Sequence, residues 1–170
     1  FTLTVVAQVV DIASPVVVNG SGTLSMSEIT AGSGITVTYR ATDDIGVQTS
    51  TVAVANSANT IVAEMPATLV SGSQADGNYR VTILIPSGTP VGSYRIIAKA
   101  QDAVSKTSVG NTGISQFVLL GNFSVTLPKD DQAPTISSSN VQVTPTSTTE
   151  NGTVTITIPV IDNVGVTQVQ

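Results

Sequence analysis

A gapless self-match is the feature that most constrains this chain. Asp11-Ile12-Ala13-Ser14-Pro15 returns as Asp130-Asp131-Gln132-Ala133-Pro134, and Asp43-Asp44-Ile45-Gly46-Val47 returns as Asp162-Asn163-Val164-Gly165-Val166, both at an offset of 119 residues. Because both motifs share one offset, the segment between them has the same length in each copy. Apolar positions repeat with it: Leu24, Ile35, Val37 and Tyr39 fall on Val143, Val154, Ile156 and Ile158. A period of this size predicts tandem domains, one copy whole and the next in part.

The local pattern is that of strands. Ile35-Thr36-Val37-Thr38-Tyr39-Arg40-Ala41 alternates apolar and polar residues, as does Val154-Thr155-Ile156-Thr157-Ile158, the period of a half-buried strand. Segments 35–42, 47–54, 79–85, 93–101 and 114–127 read as strands. Turn-formers such as Asp76-Gly77-Asn78 and Pro86-Ser87-Gly88 separate them. Helical periodicity is not found. Valine, isoleucine and threonine suit a pleated surface, so the expected fold class is all-β, a β-sandwich of about seven strands. Tyr39, Tyr79 and Tyr94 fall on strand positions and read as core residues.

The Asp-x-x-x-Pro motif at 11–15, the Asp-Asp-x-Gly-Val turn at 43–47, and Gly92-Ser93-Tyr94 leading to Ala98-Lys99-Ala100-Gln101-Asp102 together resemble the bacterial immunoglobulin-like tandem repeats of large cell-surface and adhesin-type proteins. Asp102 is followed here by Ala-Val-Ser-Lys, where the related modules often have Gly-Asn. The resemblance implies an immunoglobulin-like sandwich, tandemly repeated. Residues 1–10 would be the last strand of a preceding domain, since Phe1-Thr2-Leu3-Thr4-Val5 is similar to Phe123-Ser124-Val125-Thr126-Leu127. Residues 11–128 would be a complete domain. Residues 129–170 would hold strands A, B and the beginning of C of the next.

Composition excludes several kinds of chemistry. Cysteine and histidine are both absent, which removes zinc sites built on them, Ser-His-Asp triads and cysteine nucleophiles. Charged residues make up 10% of the chain and the net charge is −5. The six cations (Arg40, Arg80, Arg95, Lys99, Lys106 and Lys129) are scattered rather than gathered in a stripe, so nucleic acid is not an expected partner. No apolar run approaches the roughly 20 residues of a membrane helix. Residues 1–10 lack the basic flank and cleavage pattern of a signal peptide, and the chain reads as starting within a longer protein.

The acidic residues carry the candidate site. Seven of the eight aspartates (Asp11, Asp43, Asp44, Asp102, Asp130, Asp131 and Asp162) lie at the start of a first strand or in the connections after the second and penultimate strands. In a sandwich, Asp11, Asp43, Asp44 and Asp102 converge at one pole, and Asp130, Asp131 and Asp162 mark the same places in the second copy. Converging carboxylates are what Ca2+ requires. Asp and Asn are equally at home in turns with no metal, because their side chains accept local backbone N–H groups, and both readings stand at this point. Acid–base catalysis is not expected, since adjacent Asp43 and Asp44 on a strand end point to opposite faces.

The expected role is a structural spacer or stalk module of a long extracellular surface protein (an adhesin, fibre or surface layer), stiffened by Ca2+ at domain junctions, and not an enzyme. Its partners would be neighbouring immunoglobulin-like domains of the same chain, with self-association into a fibre or lattice. The alternative is a self-assembling filament or pilus subunit that donates residues 1–10 as a strand to a neighbour. A carbohydrate-binding module would need an exposed aromatic groove, and the chain has no tryptophan.

Overall fold

The computed structural model describes residues 10–168. All of the expected donated or preceding strand except Val10 lies outside the described residues. In chain order the strands up to Leu127 are β1 (Val16–Val17), β2 (Thr23–Leu24), β3 (Glu28–Thr30), β4 (Gly34–Thr42), β5 (Val47–Asn56), β6 (Ile61–Pro66), β7 (Thr68–Gly72), β8 (Asp76–Leu84), β9 (Gly92–Asp102) and β10 (Val118–Thr126). The period-two pattern is realised in β4, where Ile35, Val37, Tyr39 and Ala41 are buried and Arg40 is exposed, and again in β8. Register follows from this alternation, because a slip of one residue would turn every apolar side chain to water.

These strands form an all-β sandwich. One sheet has the order β1-β4-β8-β7, with β2 also on β4; the other has the order β3-β10-β9-β5-β6. All ladders are antiparallel except β3 with β10. In immunoglobulin lettering the sheets read A-B-E-D and A′-G-F-C-C′, which is the expected immunoglobulin-like arrangement. The segment 56–74 supplies β6 to one sheet and β7 to the other. The chain changes sheets at Ala67, whose N–H donates to Ser50 O at 2.8 Å.

Ile35, Val37 and Ile83 of one sheet pack against Val52, Val54 and Ile96 of the other, all with no exposed surface. Burial of each such side chain contributes about 1.5–3 kcal/mol relative to exposure. The second sheet is covered on its outer face as well. Ala53, Ala55 and Ile97 point away from the sandwich and meet Phe117, with Ile114 and Leu119 alongside. Here the expected last strand, 114–127, is corrected to Val118–Thr126. Ile114 and Phe117 leave the ladder because their side chains cover that outer face, and two alanines make room for the Phe117 ring.

From Pro128 the chain forms a second unit. Its described strands are β11 (Thr135–Ile136), β12 (Gln142–Thr144), β13 (Thr155–Thr157) and β14 (Val160–Ile161). Their pairing follows the first unit at the 119-residue offset. Val16 faces Thr42 and Thr23 faces Thr38 in the first unit; Thr135 faces Ile161 and Gln142 faces Thr157 in the second. The strand equivalent to β4 is split into β13 and β14 at Pro159, which occupies the position of Arg40. Proline has no N–H to donate. The position tolerates it, since the Arg40 N–H donates to the Ser21 hydroxyl at 3.0 Å rather than to a strand backbone.

Candidate metal centre

Each aspartate at the pole of the first unit is positioned by its own turn. Asp43 follows β4, and its Oδ2 accepts the N–H of Ile45 at 3.2 Å and of Gly46 at 2.7 Å. This is the local bonding that suits aspartate to a tight β4–β5 turn. Asp102 ends β9, and its Oδ1 accepts the N–H of Val104 at 2.9 Å and of Lys106 at 2.8 Å. Asp44 Oδ2 accepts the Ile12 N–H at 3.2 Å, which ties the segment leading into β1 to the turn. Lys106 Nζ reaches the same segment, donating to the Asp11 carbonyl at 2.8 Å and to Asp11 Oδ1 at 3.1 Å.

Asp11, Asp43 and Asp44 are thereby drawn together, with one carboxylate oxygen of each within 4.8 Å of those of the other two. Asp102 does not join that group; it connects to it through Lys106, which contacts both Asp102 and Asp11. Three of the carboxylates share a pattern that turn formation leaves unexplained. Asp11, Asp43 and Asp102 each engage one oxygen, while Asp11 Oδ2, Asp43 Oδ1 and Asp102 Oδ2 are buried with no hydrogen-bond partner. The Asp11 side chain is 8% exposed, and Asp43 and Asp102 are 9% and 3% exposed. A buried carboxylate oxygen without a partner is costly, and a hard cation with oxygen ligands is the chemistry that relieves it. The donor set therefore fits a cation such as Ca2+.

Among the described residues, the second unit does not assemble an equivalent group from Asp130, Asp131 and Asp162. Asp162 repeats the turn of Asp43: its Oδ1 accepts the N–H groups of Val164 and Gly165, both at 2.9 Å. The Gly165 and Val164 N–H groups hold its carboxyl below the usual carboxylate range. Asp131 lies 3.9 Å from Lys129 Nζ and 3.5 Å from Asn163 Nδ2, and Asp130 is exposed. Asn163 stands at the position of Asp44 and Asp131 at that of Ile12, so the carboxylates of this pole are differently placed.

Lys106 is the residue at this pole that the sequence pattern did not single out. Its signal was the Asp-x-x-x-Lys spacing after β9, where Asp102 pins the backbone and the lysine side chain is free to reach across.

A polar groove of about 370 Å3 lies between the sheet and the 103–117 segment, lined by Thr49, Thr51, Lys99, Gln101, Thr107 and Gln116 among others. Its one cation is already engaged, since Lys99 Nζ pairs with Glu64 at 3.0 Å and sits 4.8 Å from the centre of the Phe117 ring. Every aromatic residue described is buried. No helix among the described residues is long and apolar enough to cross a membrane. No protein-family model matches the chain, and no curated protein matches it either.

Proposed function

We propose that this chain is a structural spacer segment of a long extracellular surface protein, built from tandem immunoglobulin-like domains whose junctions are stiffened by Ca2+. The observation that carries the reading is the strand register: the Val16–Thr42 and Thr23–Thr38 pairings recur as Thr135–Ile161 and Gln142–Thr157 at the offset of the sequence repeat. A repeated fold with a core of packed apolar residues and no histidine or cysteine suits mechanical work. The cation belongs at the pole where the chain enters the first domain. Asp11 sits in the entering segment, Asp44 already holds the Ile12 N–H, and Asp43 belongs to the turn. A cation shared by these carboxylates ties the incoming chain to the body of the domain and limits swivelling there.

Sedimentation velocity over a wide concentration range separates this reading from strand donation. A spacer stays monomeric at every concentration, with or without Ca2+. Concentration-dependent association that disappears when residues 1–10 are deleted would favour the filament subunit instead.

A further inference from the structure

Lys106 places an ammonium on the carboxylate set that would hold the cation. Its Nζ takes the Asp11 carbonyl and Asp11 Oδ1 across a sequence separation of 95 residues. Given the cation reading above, two positive charges would have to share Asp11. We infer that they do not share it: Lys106 is the built-in counter-ion of the pole, and a divalent cation binds only by displacing its ammonium, so that this residue sets the cation affinity.

Three observations support displacement rather than coexistence. First, an ammonium and a dication on one carboxylate a few ångströms apart repel strongly where water is largely excluded, and the Asp11 side chain is nearly buried. Second, Lys106 can leave without disturbing the fold. Its backbone is held at both ends by Asp102, whose N–H donates to Lys106 O at 3.1 Å and whose Oδ1 accepts the Lys106 N–H. The side chain is a flexible four-carbon stem, one-third exposed, that can carry its charge into water. Third, the ammonium satisfies only part of the site, since it contacts Asp11 Oδ1 and leaves Asp11 Oδ2 and Asp43 Oδ1 bare. One positive charge among the three carboxylates holds the pole together without filling it. Without divalent cation the lysine keeps the entering segment attached; with it, the metal takes over. The domain would then keep its fold at low Ca2+ and gain stiffness at high Ca2+.

The test is calorimetric titration of the full chain with CaCl2, comparing wild type with Lys106→Met, Lys106→Gln and Lys106→Arg, paired with thermal unfolding in chelator. Removal of the ammonium in Lys106→Met or Lys106→Gln should tighten Ca2+ binding by about tenfold or more. Lys106→Arg, which keeps the charge, should bind like wild type. In chelator the two neutral variants should melt below wild type, and the gap should close when Ca2+ is added. Equal affinity in all four proteins would overturn displacement while leaving the cation site intact, as would weaker binding in the neutral variants. Absence of Ca2+ binding in every protein would overturn the site itself and this inference with it.

Discussion

The hydroxyls of Tyr39 and Ser50 meet at 2.6 Å in the interior, one from each sheet of the sandwich. Ser50 Oγ donates to Lys99 O at 3.0 Å, so its single proton is committed and the Tyr39 hydroxyl is the donor between them. This chain is a polar tie through an otherwise apolar core. Tyr79, stacked on Tyr39 with ring centres 6.1 Å apart, has a buried hydroxyl with no partner.

The two tyrosines should therefore respond in opposite ways to loss of the hydroxyl. Tyr39→Phe removes a buried hydrogen bond and should cost about 1 kcal/mol. Ser50→Ala strands the Tyr39 hydroxyl and should cost about 1–3 kcal/mol. Tyr79→Phe removes a polar atom that gains nothing by burial, and should be neutral or slightly stabilising. Urea unfolding of the three variants measures all of this, and a Tyr79→Phe cost equal to that of Tyr39→Phe would contradict it.

Alkaline stability follows from the same residue. Burial, partly offset by the Ser50 hydrogen bond, pushes Tyr39 up to about 12 from the ordinary value of 10.0. With the folded value above the unfolded one, this group leaves stability untouched below pH 10, where it is protonated in both states. Above that the unfolded chain ionises first, so stability falls as pH rises towards 12. The loss should approach about 2–3 kcal/mol. Denaturant midpoints taken across this window should fall in wild type and fall less in Tyr39→Phe; parallel curves would refute the assignment.

Gly22 lies between β1 and β2 where the chain crosses β10. A Cβ at Gly22 would overlap the carbonyl oxygen and Cβ of Leu120, whereas one at Gly88 meets nothing within 4 Å. Gly22→Ala must displace backbone and should cost about 1–3 kcal/mol, while Gly88→Ala should lie within about 0.5 kcal/mol of wild type. Equal midpoints for both variants would show that the β1–β2 edge gives way freely.

The strands that alternate were legible in the sequence because period two is a local signal. Segments 35–42 and 79–85 sit on β4 and β8 within three residues at each end for this reason. The cover over the second sheet was not foreseen, although it left a trace. Val52-Ala53-Val54-Ala55 and Ile96-Ile97-Ala98 are apolar without alternation, the mark of a strand buried on both faces. Reading Phe117 as strand missed its long-range role, since nothing near it in sequence names Ala53 and Ala55 as its partners. At the pole, the convergence of Asp11, Asp43 and Asp44 followed from strand order alone. Lys106 was hidden because its contact with Asp11 depends on a side chain bridging two distant loops, and Asp102 stands apart from the group of three because its Oδ1 is held by the Val104 and Lys106 N–H groups.

The most direct measurement of the central claim is thermal unfolding of the full chain in chelator and in millimolar Ca2+, with Asp43→Asn alongside. A cation bound by the folded state alone stabilises it by mass action. The wild-type midpoint should therefore rise by several degrees in Ca2+, and Asp43→Asn should lose most of that rise. Identical wild-type midpoints in chelator and Ca2+ would contradict the claim that the bare carboxylates at this pole hold a cation.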